Sequence, residues 1–251
     1  EYVVDSHLIP YHLIDVEDPE NEFNLFEFQK RFYSVFDAVR KRGQLPVLVG
    51  GTGLYLESVL CRYDMPEAPV NREKRNDLVK KTTKELQQIL YALKPRLHNT
   101  TDLEDRKRLI RAVEIEMART TAKKKTSEKP EMEAAVFGIQ WDRAELRQRI
   151  TNRLEERLQN GMIEEVADLH AAGLNWSRLE SFGLEYRFIA EYLQQKTSFD
   201  AMKNKLATAI HQFAKRQETW FRRMEKKGVA IDWIAHDDYS ALKAKVADSL
   251  K

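Results

Sequence analysis

Pro46-Val47-Leu48-Val49-Gly50-Gly51-Thr52-Gly53-Leu54-Tyr55-Leu56 decides how the rest of the chain is read. A short apolar run of strand character ends in a glycine turn carrying one hydroxyl, and a helical pattern follows at once. Strand, glycine turn and helix N-terminus in that order expose backbone N–H groups at the carboxyl end of a sheet. Open α/β folds bind ligands there, anions especially. No Gly-Lys-Ser/Thr follows, so the turn is not a P-loop. It reads as one wall of a site. The plainer alternative is that Gly50, Gly51 and Gly53 only make a tight strand-to-helix connection.

Upstream, Asn24 with Glu27 gives a capping-box-like helix start. Leu25, Phe28, Phe32, Val35, Phe36 and Val39 then share one face, and Gly43 ends the helix. A helix over 24–42 feeding a strand over Leu45–Val49 is half of a βαβ unit and predicts a parallel sheet. Tyr11–Val16, after a turn at Ile9-Pro10, reads as a short strand or extended segment. Downstream, from Val70 to Ser127, strand signals vanish, and Asn99-Thr100-Thr101-Asp102 marks a helix start near Leu103. Thr120–Pro130 reads as a polar loop. Ala134–Trp141 returns to strand character, and Asp142 with Glu145 opens another helix. A long helix from Ser198 to about Lys227 ends at Gly228, before a strand over Val229–Ile234. The expected organisation is an α/β core over 1–70 and 134–251 with a helical insertion over 71–133.

Length and composition suit one large domain or a domain with an insertion: 251 residues, 42% hydrophobic and 33% charged. The net charge of +2 means that any nucleic-acid surface must come from clustered charge. A single Cys61 excludes an internal disulfide and fits a reducing, cytoplasmic compartment. No apolar run approaches the ~18 residues of a membrane span. The first residue is Glu1 and the opening is no signal peptide, so the chain is expected to begin inside a longer protein. The six His residues show no metal-ligand spacing, His12 reads as structural, and one Cys makes no zinc site.

Basic residues cluster in three places. On the long helix, Leu206, Ile210, Phe213, Gln217, Trp220 and Met224 form one core stripe with Gln217 as its polar exception. Lys215 and Arg222 lie opposite, and Arg216 and Arg223 share a flank. This is either a solvated basic face or a phosphate-binding surface. Arg106-Lys107-Arg108-Leu109-Ile110-Arg111, taken alone, is a surface helix balanced by Glu104, Asp105 and Glu114. Arg149 and Arg153, at i and i+4, could grip an anion together or pair with Glu145 and Glu156. Lys123-Lys124-Lys125 reads as solvated loop.

Several of these segments, in order over about residues 11–235, resemble the tRNA dimethylallyltransferase (tRNA isopentenyltransferase) family. They are Tyr11-His12-Leu13-Ile14-Asp15, Leu48–Tyr55, Asp105–Glu114, Arg149-Ile150 with Arg153, Gly161 with Glu165-Val166, and Lys215–Arg222. The resemblance implies a P-loop NTPase-like parallel-sheet core with an inserted helical domain, the two gripping a tRNA anticodon stem-loop. It implies transfer of a dimethylallyl group from dimethylallyl diphosphate, with Mg²⁺, to N6 of the flipped-out adenosine 3′ of the anticodon. It places Thr52 at the reacting N6 as the catalytic hydroxyl, and Arg153 and, more weakly, Arg149 at the diphosphate. It makes Arg75, Lys107, Arg108, Leu109, Ile110 and Arg111 tRNA contacts. Gly183, Tyr186 and Arg187 join them, as do Lys215, Arg216, Gln217, Thr219, Trp220 and Arg222. A cytoplasmic monomer is expected.

The sequence departs from the family pattern at Gly183 and Glu185, where Gly-Tyr is usual, and at Arg157, where Met is frequent. The family's P-loop, its general-base aspartate and most Mg²⁺ ligands precede the His-Leu-Ile-Asp segment. Asp5-Ser6 lies too close to that segment to replace them, and Asp15 reads as structural. The chain as given is therefore expected to be inactive without an N-terminal segment. Two other readings stay open: an adenylate isopentenyltransferase making cytokinin, which needs no RNA face, and a degenerate tRNA-binding protein.

Overall fold

A computed structural model describes residues 2–4, 6–69, 71–95, 101–121 and 129–250. The first elements are β1 (Tyr2–Val4), β2 (His7–Ile9), α1 (Leu25–Lys41), α2 (Gly53–Leu60), α3 (Arg72–Lys80), α4 (Thr83–Leu93), α5 (Thr101–Glu104) and α6 (Arg106–Thr121). There follow β3 (Phe137–Gln140), α7 (Arg143–Gln159), α8 (Met162–Ala171), α9 (Trp176–Leu179), α10 (Leu184–Leu193), α11 (Phe199–Lys226), β4 (Asp232–Ala235) and α12 (Tyr239–Ser249). Two compact units result, Glu1–Cys61 with Glu131–Lys251, and Arg62–Pro130.

The first unit is α/β but mostly helical. Its sheets are small: β1 and β2 pair antiparallel, and β3 and β4 pair parallel with Phe137 opposite Asp232 and Gln140 opposite Ala235. The expected α1 forms with its Asn24 cap and its Gly43 end. The Asn24 carboxamide oxygen accepts from Phe26 N and Glu27 N at 3.0 and 3.1 Å, and Gly43 ends the helix at φ +69°. The expected strand over Leu45–Val49 is corrected: it forms no strand, and Val47 and Val49 are 75% and 86% exposed. Tyr11–Val16, expected as a short strand or extended segment, forms no strand either, and Leu13 and Asp15 take positive φ. A strand exists only through ladder partners, and neither segment has one among the described residues. The antiparallel pairing of Tyr2–Val4 with His7–Ile9 had no counterpart among the expected elements, although Tyr-Val-Val and His-Leu-Ile are apolar triplets of strand character.

The main core of this unit lies among α7, α8, α9, α10 and the first half of α11. Leu154, Met162, Val166, Leu179, Ile189, Ala190, Met202 and Leu206 are buried there. Ser198 caps α11, and Gly228 follows it at φ +92°. The expected α11 stripe is realised at Leu206 and Met224, but Phe213 is 40% exposed.

The second unit packs α3, α4 and α6 around Leu78, Leu86, Leu90, Leu109, Ile110 and Val113. Thr82 and Glu85 form a full capping box on α4. The expectation set this insertion at 71–133, whereas its contacts extend it back to Arg62. Arg62 Nη2 donates to the Lys129 carbonyl at 2.8 Å, and Lys129 Nζ donates to the Arg62 and Tyr63 carbonyls. Those bonds tie the two ends of the unit together.

Candidate active site

Thr52 sits at the N-cap of α2, where a hydroxyl ordinarily accepts from the second or third backbone N–H of the helix. Here it makes no such bond, and Thr52 is exposed. Its carbonyl accepts from Tyr55 N and Leu56 N, so the backbone is fixed while the hydroxyl stays available.

The turn is set by α11. Gln217 Nε2 donates to the Gly51 carbonyl at 2.7 Å. A β-carbon at Gly51 would lie 2.5 Å from that nitrogen. One at Gly53 would lie 2.9 Å from Trp220 Cβ and closer still to its ring. Gly53 is therefore required by the approach of α11, whereas a side chain at Gly51 would displace the Gln217 amide from its bond. Gly50 has open space around it. The bare strand-to-helix connection thus gives way to a docking surface for α11.

The far end of α2 is held by charge. The Glu57 side chain is fully buried, with Oε2 2.8 Å from Arg223 Nη2 and Oε1 bonded to Lys227 Nζ. The Arg223 guanidinium also lies 4.1 Å over the Trp220 ring. On its other side α2 meets α1. Gln29 Nε2 donates to the Ser58 carbonyl at 2.7 Å, and Tyr55 stacks on Phe28 with centroids 4.4 Å apart. Burial, and then the Glu57 charge, push the Cys61 thiol up, which keeps it protonated.

α7 packs along the earlier part of α11. Lys203 Nζ meets Glu155 Oε1 at 2.8 Å, and Thr151 and His211 approach to 3.4 Å. Arg153 is exposed on α7. Arg149 lies 4.3 Å over the Trp141 ring, on which His236 also stacks at 3.8 Å. The ring contact holds the Arg149 guanidinium by its face, and both Arg149 and Arg153 are exposed on α7. Trp141 and His236 directly follow β3 and β4, at the carboxyl ends of the parallel pair.

The expected tRNA contacts divide sharply. Lys215, Arg216, Thr219 and Arg222 are exposed on α11, with Arg222 3.9 Å from Glu218 and Arg216 over Phe213. Gln217 and Trp220 instead face the glycine turn. Gly183 precedes α10 at φ +152°, and Arg187 is exposed beside Phe188. Tyr186 donates its hydroxyl to Glu165, and burial followed by that bond pushes the phenol up to about 12.

Arg75 and residues 107–111 belong to the other unit. Arg75 forms a fork on Glu114, with both N···O distances 2.7 Å, and Arg111 adds a third bond at 3.2 Å. Leu109 and Ile110 are core residues at 0% and 7% exposure, so their side chains are withdrawn from any RNA. Lys107 and Arg108 remain exposed.

Sequence reasoning missed Glu57 and Lys227, and it counted Arg223 with the basic flank of α11. The signal was a lone carboxylate within Leu54-Tyr55-Leu56-Glu57-Ser58-Val59-Leu60, with no cation within four residues. Such a group must find its partner elsewhere in the fold.

Fold and site together define an α/β protein in which a long basic helix clamps a glycine turn bearing an available hydroxyl. A family model described as IPP transferase matches residues 4–224. The tRNA dimethylallyltransferase 1 of Syntrophus aciditrophicus is 50% identical over 252 residues, covering 100% of this chain and 83% of that protein. That of Geotalea uraniireducens is 50% identical over 229 residues, covering 91% and 75%. The full-length tRNA isopentenylpyrophosphate transferase of Bacillus halodurans shares the fold, with a TM-score of 0.64 at 24% identity over 96% of this chain and 77% of that one. The chain belongs to the IPP transferase family.

Proposed function

We propose that the protein transfers a dimethylallyl group from dimethylallyl diphosphate to N6 of the adenosine 3′ of the anticodon in tRNA. The observation that carries this reading is the Thr52 hydroxyl, at a helix N-cap yet unused as a cap, on a turn held from behind by α11. Family membership supports tRNA as the substrate. The reaction forms a carbon–N6 bond, breaks the carbon–oxygen bond to diphosphate and releases a proton.

An exocyclic adenine amine is a weak nucleophile and must be aimed. The Thr52 hydroxyl oxygen accepts a hydrogen bond from N6–H and orients the nitrogen lone pair. Arg153 neutralises charge growing on the departing diphosphate. Lys215, Arg216 and Arg222 hold backbone phosphates of the stem-loop. Mg²⁺ accompanies the diphosphate by family resemblance. Among the described residues, however, no three His, Cys, Asp or Glu side chains gather to hold a metal ion. A P-loop-type core is likewise part of this proposal.

Full-length protein, dimethylallyl diphosphate and an anticodon stem-loop give the test. Thr52→Ala lowers the transfer rate about 100-fold, a typical loss for one hydrogen bond aimed at a reacting group, while stem-loop affinity changes little. Equal loss of rate and affinity would refute the role of Thr52. Preference for AMP over the stem-loop would overturn tRNA as the substrate.

A further inference from the structure

We propose that Glu57 is a positioning residue: gripped by Arg223 and Lys227, it fixes α11 against α2 so that Gln217 and Trp220 set the turn carrying Thr52. This rests on the reading of Thr52 as the hydroxyl at the reacting amine. Glu57 touches no substrate in that reading and acts through α11.

The contacts form one connected path. Each Glu57 carboxylate oxygen takes a different cation, Oε2 that of Arg223 and Oε1 that of Lys227. The two cations stand four residues apart, about one helical turn, at the end of α11 and its C-cap, so gripping one carboxylate with both favours one rotation and height of the helix. Arg223 lies over Trp220, Trp220 fills the space that a side chain at Gly53 would need, and Gln217 holds the Gly51 carbonyl. Gly51 and Gly53 flank Thr52. Rotation of α11 by one residue, about 100°, would carry the Gln217 amide away from the turn.

Stability alone gives little reason for this cluster. A buried ion pair costs desolvation that offsets its attraction, and apolar residues of similar volume hold helices together as well or better. What an apolar contact lacks is direction. The exposed face of the same helix carries Lys215, Arg216 and Arg222, so the element that would meet RNA is also the one that places Thr52.

The experiment compares full-length wild type, Glu57→Gln, and a triple apolar variant, Glu57→Leu with Arg223→Met and Lys227→Met. It reads amide hydrogen exchange over residues 50–56, the thermal midpoint, stem-loop affinity, and kcat with KM for dimethylallyl diphosphate. In Glu57→Gln, exchange over 50–56 rises and kcat falls, each about 10-fold, while stem-loop affinity stays within about twofold. In the triple variant the thermal midpoint returns to the wild-type value or above, but exchange stays fast and kcat stays low. A triple variant with wild-type exchange and wild-type kcat overturns the proposal and leaves the cluster a fastener only. Unchanged exchange over 50–56 in Glu57→Gln overturns it as well. Wild type that transfers nothing refutes the proposed reaction instead, and the exchange measurement still decides the role of Glu57.

Discussion

Glu57 and Glu114 make the same arrangement in different units: a carboxylate withdrawn from water and embraced by two cations. Glu114 joins α3 to α6 through Arg75, and Arg111 adds a bond from within α6, inside the helical unit. Glu57 joins α2 to α11. In the helical unit the clasp fastens only its own core. In the other unit it lies on the short helix whose N-cap bears an available hydroxyl. The helical unit also ties Glu116 to Lys94 and Arg119, so several of its basic residues are occupied within the fold. On α11, by contrast, Lys215 and Arg216 stand exposed. Similar local chemistry thus serves fastening in one place and aiming in the other, and a basic residue counts toward RNA only if no buried acid has claimed it.

The largest expected effect breaks the Glu57 clasp from the cation side. Arg223→Met with Lys227→Met leaves a fully buried carboxylate without either partner, at a cost of about 3–5 kcal/mol. Urea unfolding followed by circular dichroism measures it. A loss below ~1 kcal/mol would mean that Glu57 is readily re-solvated, and the comparison with Glu114 would fail.

Next comes Glu114→Gln, expected to cost about 2 kcal/mol because its partners are about one-third exposed. Exchange protection over α3 and α6 should fall. The same group predicts a pH effect. Burial alone would raise the Glu114 pKa, but hydrogen bonds and charge from Arg75 and Arg111 outweigh it and hold it below the ordinary 4.5. A depressed carboxylate contributes its stability above its unfolded value and loses it as pH falls through the folded one. Wild type should therefore destabilise below about pH 4.5 in the helical unit, while Glu114→Gln is flatter over the same window.

The smallest effect separates claimed from unclaimed cations. Lys215→Ala and Arg216→Ala should each lower the slope of log affinity against log salt for the stem-loop by about 0.7–1, with the thermal midpoint unchanged. Arg75→Ala should do the reverse, costing stability and sparing the slope. A full unit of slope lost in Arg75→Ala would return that residue to the RNA surface.

Periodicity and caps made α1, α7 and α11 legible, because a helix answers mainly to its own residues. Leu45–Val49 failed as a strand for the opposite reason: a ladder needs a partner that local sequence does not name. Among the candidate site residues, Thr52 was singled out from its turn and from the family pattern. The division between Lys215 and Gln217, two positions apart, was half legible. The stripe had marked Gln217 as an inward polar residue without saying what it would bind. Leu109 and Ile110 were grouped with their basic neighbours, although their apolar side chains belonged to a core. Glu57 was unreadable as a partner of Arg223, since 166 residues separate them.

One consequence follows from the build of α11. Its 28 residues span about 42 Å and contain neither glycine nor proline. Its first half is embedded in the main core at Met202 and Leu206, and its second half carries the grip on the turn. In mechanical terms it is a strut without a joint, anchored at one end and loaded at the other. A push against its outer face has no hinge in which to be absorbed, so it arrives at the glycine turn.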